Sequence, residues 1–166
     1  MNVIGVVGWK NTGKTTLIEK LIKEFTKRNF TVSTIKHSHH KFSIDRQGTD
    51  SYRHFNAGTK ETILASEKKW IKFSRQREEA NPYLSFLIEQ IIPVDIVIVE
   101  GFKASDHKKV EVVDITNDRK PLYETDETIC GLIINQNKIK NATLPQFERD
   151  KVQEICNFIA MTLRIG

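Results

Sequence analysis

Cysteine is scarce in this chain: Cys130 and Cys156 are the two present, and neither sits in a paired ligand motif. A disulfide scaffold and a cysteine-built metal centre are thereby excluded, and both thiols are expected to be free and reduced. Long apolar runs are missing too. No stretch approaches the roughly 20 residues a helix needs to cross a bilayer. The apolar opening Met1–Val7 is interrupted by Gly8 and Lys10 too early for a secretory core. The expectation is a cytoplasmic protein without a membrane partner. Blocks of one charge are absent as well, since 26 Lys and Arg are dispersed among 21 acids to leave a net +5. With no basic run and no aromatic RNA-binding motif, nucleic acid is not the expected partner; a mildly basic surface suits a small anionic ligand. Low-complexity linkers and internal repeats are lacking, and 166 residues fit one domain.

What is present alternates between two periods. Val3-Ile4-Gly5-Val6-Val7 is a continuous apolar run, the pattern of a strand covered on both faces. Leu17, Leu21, Ile22 and Phe25 then recur at helical spacing, with Asn29 as a stop, and Thr31–Ile35 gives a β-branched second strand. A short helix over Asp50–Ala57 ends at Gly58. Glu61–Ala65 and Lys69–Phe73 flank Ser66–Lys68 as a β-hairpin. A helix after Pro82 presents Tyr83, Leu84, Leu87, Ile88 and Ile91. Strands follow at Val94–Val99, Val110–Ile115 and Ile129–Ile134, and a closing helix uses Val152, Ile155, Ile159 and Leu163. Strands alternating with helices predict an α/β fold of the P-loop NTPase type: a three-layer sandwich, its sheet mostly parallel with helices on both faces, plus a protruding hairpin.

Gly8-Trp9-Lys10-Asn11-Thr12-Gly13-Lys14-Thr15-Thr16 carries the chemistry. Two glycines five positions apart, followed by Lys and Thr between a buried strand and an amphipathic helix, are the pattern of a phosphate loop. Gly8 and Gly13 allow the backbone N–H groups from Asn11 onward to curl around phosphate, and the helix start adds its positive dipole end. Lys14 supplies charge to the outer phosphates, the Thr15 hydroxyl is a Mg²⁺ ligand candidate, and Thr16 a contact to the α-phosphate.

Mg²⁺ also calls for a carboxylate nearby. Glu100 closes the apolar run Ile96–Val99, and Asp95 opens it. Because ligands gather at the carboxyl ends of parallel strands, Glu100 is preferred over Asp95. Lys36-His37-Ser38-His39-His40-Lys41 follows the second strand, with Asp45, Gly48, Asp50 and Ser51 soon after. This histidine segment reads equally as a solvated loop or as a site for an anionic group beside the nucleotide (His37, His40, Asp50), and less readily as a transition-metal site, since no fixed spacing aims the imidazoles at one point. Asp45 is a candidate for an outer contact to Mg²⁺ or a sensor of the γ-phosphate. Asn135, closing Leu132–Ile134, is either a turn residue or a guanine contact; the Asn-Lys-x-Asp reader of classical GTPases is not complete here.

The phosphate loop resembles that of the molybdopterin-guanine dinucleotide biosynthesis adapter (MobB) family. So do Ile35-Lys36-His37-Ser38-His39-His40, Asp45–Arg53, Ala57-Gly58 and Val99-Glu100-Gly101-Phe102-Lys103. The likeness covers the first two thirds of the chain, and the Lys-His-x-His-His and Glu-Gly-Phe-Lys segments are its discriminating parts. It implies a GTP-binding protein with weak GTPase activity that uses GTP and Mg²⁺. It further implies a homodimer joined through the hairpin at about 61–74, and an assistant to the MobA-type guanylyltransferase that joins GMP to the molybdenum–pterin cofactor, with molybdopterin itself as a further contact. In that reading Lys14, Glu100 and Asp45 are the catalytic candidates, and Thr15, Glu100 and Asp45 the metal ligands. The nucleotide contacts are Gly8, Lys10, Asn11, Thr12, Gly13, Lys14, Thr15, Thr16, His37, His40, Asp50 and Asn135. Two other functions share the same loop: a small-molecule kinase, and a GTP-dependent metal-delivery protein loaded at His37, His39 and His40.

Overall fold

A computed structural model describes residues 1–38, 45–75, 83–116, 119–135 and 137–166. The described contacts fall into two units, Met1–His37 with Leu84–Gly166, and Ser38–Tyr83.

The larger unit is built on a six-stranded sheet. Its strands are β1 (Asn2–Val7), β2 (Val32–Lys36), β5 (Ile96–Glu100), β6 (Lys109–Val112), β7 (Ile129–Ile134) and β8 (Gln146–Glu148), in the order β2-β5-β1-β6-β7-β8. Every pairing is parallel. Parallel strands must be shielded on both faces, and the alternation in β1 and β5 shows how. Ile4, Val6, Ile96 and Ile98 join the buried faces of α1 (Lys14–Lys27) and α4 (Val152–Leu163) through Leu17, Leu21, Phe25, Ile155 and Ile159. On the opposite face Val97, Val99 and Ile35 pack with Leu84 of α3 (Leu84–Glu89), while Val7, Leu132 and Ile134 form a second cluster with Val113 and Ile129. Helices thus cover both faces, as the alternating pattern predicts. Asn29 stops α1 in a left-handed conformation, φ 66°.

Polar groups are buried beneath the connections that cross the sheet. Lys109, 1% exposed, donates to the Ser105 carbonyl, to Asp126 and to Thr128. Glu111, equally buried, accepts from the N–H groups of Leu122 and Tyr123, and desolvation still raises its pKa above the ordinary carboxylate value. Gly5 is required by close approach: a Cβ there would stand 2.5 Å from His107 Nε2. The His107 ring nitrogens are buried without a hydrogen-bond partner among the described residues, and desolvation pulls the imidazole pKa down to about 4.

In the smaller unit, α2 (Asp50–Asn56) is capped by Thr49, whose hydroxyl accepts from Tyr52 N. β3 (Glu61–Ala65) and β4 (Trp70–Ser74) form the expected antiparallel hairpin, from Glu61↔Ser74 to Ala65↔Trp70. Phe73 lies 6.1 Å from the Phe55 ring of α2, and Arg75 covers that ring at 4.4 Å.

Two sequence expectations are corrected, and one strand had no expectation. Strand β6 ends at Val112 rather than Ile115, because Asp114 Oδ1 accepts from the N–H and hydroxyl of Thr116 and turns the chain. Tyr83, expected on an apolar helix face, precedes α3 and is 81% exposed. β8 has only three residues, too few for a period to show. Pro82, expected at the start of α3, lies outside the described residues.

Candidate functional site

Strand β1 ends at Val7 and α1 begins at Lys14, so the six residues between them are the loop at the carboxyl edge of the sheet. Its conformation departs from ordinary backbone at Gly8 (φ 142°), Asn11 (φ 66°) and Gly13 (φ 84°). At Gly13 the left-handed value favours glycine, and the Arg149 guanidinium stands 2.7 Å from where a Cβ would be. No side chain caps the first turn of α1 and no acid lies in it, which leaves its backbone donors open to an external anion. Lys14 Nζ donates to the Trp9 carbonyl at 2.6 Å, and the Thr12 hydroxyl donates to the same oxygen at 3.0 Å. The ammonium is therefore parked on the loop it belongs to. Its pKa is lowered, chiefly by desolvation, with Lys103 and Lys36 adding repulsion and Glu100 opposing the shift. Three mutually repelling cations at one edge favour a polyanion.

Glu100 closes β5, the strand that pairs directly with β1 (Val6↔Glu100). Its Oε1 accepts from the Thr15 hydroxyl at 3.3 Å and its Oε2 stands 3.3 Å from Lys36 Nζ. Asp95 occupies the other end of the same strand, where it accepts from Thr31 N at 2.7 Å and from the Thr31 hydroxyl at 2.6 Å. The two acids weighed against each other thus serve opposite edges of the sheet. His37 donates its N–H to the Glu100 carbonyl, and its ring stacks on Phe102 at 4.6 Å.

The other expected site residues are placed as follows. Lys10, Thr15 and Thr16 are exposed at the loop and the helix start, and Asn135 is exposed directly after β7. Asp45 and Asp50 belong to the smaller unit, where Asp45 Oδ1 accepts locally from Arg46 N and the Thr49 hydroxyl, and Asp50 opens α2. His39 and His40 lie outside the described residues. Among the described residues no cluster of three or more His, Cys, Asp or Glu is arranged for a metal ion, and no helix is long and apolar enough to cross a membrane.

Tertiary structure adds contacts that the sequence did not predict. Lys103 stands 4.2 Å and Arg119 4.9 Å from the Trp9 ring centroid, and the indole N–H donates to the Lys120 carbonyl. These contacts tie the loops after β5 and β6 to the phosphate loop. Arg149, directly after β8, donates from Nη2 to the Thr12 carbonyl at 2.6 Å. Arg119, Lys120 and Arg149 lie in no local motif.

With this geometry in place, comparison with known proteins is specific. Residues 3–135 match the family model described as "MobB: Molybdopterin guanine dinucleotide synthesis protein B". A molybdopterin-guanine dinucleotide biosynthesis adapter protein of Haemophilus influenzae is 35% identical over 158 residues, which span 95% of this chain and 86% of that one. A crystal structure of molybdopterin-guanine biosynthesis protein B superposes with a TM-score of 0.77 at 25% identity, covering 97% of this chain and 99% of the other. The Bacillus subtilis MobB structure, at 24% identity and 98% coverage of both chains, shares the fold with the same TM-score.

Proposed function

The chain belongs to the MobB family, and from that premise we propose that it is a GTP-binding adapter for molybdopterin guanine dinucleotide biosynthesis, homodimeric and only weakly hydrolytic. The observation that carries the nucleotide reading is the loop Gly8–Thr15: open helix-start donors, a left-handed Gly13 and the Lys14 ammonium converge where a polyphosphate would sit.

The residues beside the loop fit Mg²⁺. Thr15 Oγ1 and Glu100 Oε1, 3.3 Å apart, are the hard oxygen donors that this cation prefers. Bound there, Mg²⁺ would neutralise charge on the outer phosphate oxygens. The protein's own part is to place the phosphates with Lys14 and the backbone N–H groups and to relieve the charge that develops as water attacks the γ-phosphorus. No glutamine at this sheet edge positions such a water among the described residues, so slow turnover is expected until a MobA-type guanylyltransferase partner completes the site. Asn135, at the end of β7, is the proposed guanine contact.

Trp9 supplies the readout. Its indole rides on the phosphate loop under Lys103, whereas Trp70 is 61% exposed in the hairpin. Titration with GTP should change the Trp9 fluorescence, Mg²⁺ should tighten the binding, and Trp9→Phe should abolish the signal. Clear preference for ATP would overturn the adapter reading in favour of a small-molecule kinase.

The hairpin is the proposed dimerising element. Ile63 and Trp70, on one face of the hairpin, expose 63% and 61% of their surfaces, an apolar patch that a second hairpin would cover. Sedimentation should give a dimer for the wild type and a monomer for Trp70→Glu; a wild-type monomer refutes this assignment.

A further inference from the structure

The shape of the phosphate loop is held from outside the motif. Arg149 is 135 residues beyond Lys14 in sequence, yet its Nη2 donates to the Thr12 carbonyl at 2.6 Å, and its Nη1 and Cζ flank Gly13. The strand beneath anchors it: Arg149 N donates to the Ile134 carbonyl at 2.8 Å, directly after the paired ends of β7 and β8. Its Nε is buried without a hydrogen-bond partner among the described residues. A half-buried guanidinium with one unpaired nitrogen is a costlier way to hold a loop in place than a neutral donor, which would spare the desolvation. The cation therefore calls for an electrostatic purpose.

Peptide planarity supplies one. In a trans peptide the carbonyl of residue i and the N–H of residue i+1 point in opposite directions. A guanidinium that pins the Thr12 carbonyl on one side of the loop fixes the Gly13 N–H on the other. Gly13 is in the left-handed region, where its backbone would otherwise be the freest part of the loop. The charge-assisted bond also polarises that peptide and makes its N–H a stronger donor. We propose that Arg149 is a positioning residue for the phosphate loop, which orients and polarises the Thr12–Gly13 peptide so that the Gly13 N–H grips a phosphate oxygen without Arg149 itself contacting the base or ribose.

This inference rests on the nucleotide reading above. The test is a set of titrations of the full chain with GTP and with inorganic pyrophosphate, which has phosphates but neither base nor ribose. Arg149→Ala is expected to weaken both ligands by about tenfold, the size of one charge-assisted hydrogen bond at the low end of its range. Arg149→Lys, which keeps a charge but loses the planar fork, should fall between. Millimolar methylguanidinium should restore part of the loss in Arg149→Ala, an effect that a purely structural role would not produce. If Arg149→Ala melts below the assay temperature, Arg149→Gln replaces it, neutral and of similar reach, with the same tenfold expectation. Unchanged affinity in the neutral variant overturns the proposal. So does a loss seen with GTP but not with pyrophosphate, which would move Arg149 to the base or ribose. A wild-type chain that bound neither GTP, ATP nor pyrophosphate would overturn the nucleotide reading as well, whereas tight wild-type binding matched by the variants overturns the role of Arg149 alone.

Discussion

Lys14→Ala is expected to weaken GTP binding by about 100-fold, which corresponds to about 2.7 kcal/mol, while leaving the melting temperature close to that of the wild type. The two halves of this expectation have separate causes. In the free protein the ammonium donates to the Trp9 carbonyl at 2.6 Å, a contact that water or the Thr12 hydroxyl, already 3.0 Å from the same oxygen, can replace. In the complex the ammonium would stand against phosphate charge that the backbone donors neutralise only in part. Burial already lowers its pKa, so the site bears a desolvation cost that only an anion repays. Isothermal titration alongside a thermal melt measures both quantities. A variant that bound GTP as well as the wild type would remove the loop from the nucleotide site.

The second large effect separates two acids on one strand. Glu100→Ala is expected to abolish most of the Mg²⁺ enhancement of GTP binding, a loss of about tenfold in the presence of the metal, with little change in its absence. Asp95→Ala should leave the Mg²⁺ dependence intact and lower the melting temperature, because the Thr31 N–H and hydroxyl lose their shared acceptor. The distinction follows from strand direction. Glu100 stands beside Val6 at the carboxyl edge, 3.3 Å from the Thr15 hydroxyl, and Asp95 lies just before the start of β5. Titrations of both variants with and without Mg²⁺ decide it. Equal loss of metal dependence at the two positions would contradict the assignment of the metal site to the carboxyl edge.

The parts of this site that were legible in the sequence are those whose chemistry is compressed into a few neighbouring residues. Gly8–Thr16 sits between a strand and a helix, so motif and context confirm each other within thirty positions. Glu100 was legible because an apolar run has a direction, and its last residue emerges at the edge where ligands gather in parallel sheets. The hairpin was likewise visible, since its alternation of Trp70 and Lys72 against Ile71 and Phe73 survives without any tertiary partner.

Lys36 and Lys103 stand out only as members of the resemblance segments, and Arg119 and Arg149 carry no signal at all, as ordinary basic residues among 26. What gives them meaning is the strand order β2-β5-β1-β6-β7-β8, which brings the ends of β2, β5, β6 and β8 to the edge from which the loop after β1 emerges. Arg149 is the clearest case: it follows a three-residue strand that no period could reveal, and reaches Thr12 only once β8 has paired with β7.

By itself, then, the sequence determined the α/β alternation, the phosphate loop, the acid that closes β5 and the family resemblance, because these depend on local conformation and on hydrophobic periods of a few residues. Only the tertiary structure decided which distant cations surround the loop and how Gly13 is held. Those outcomes depend on pairing between strands far apart in the sequence, which no local pattern encodes.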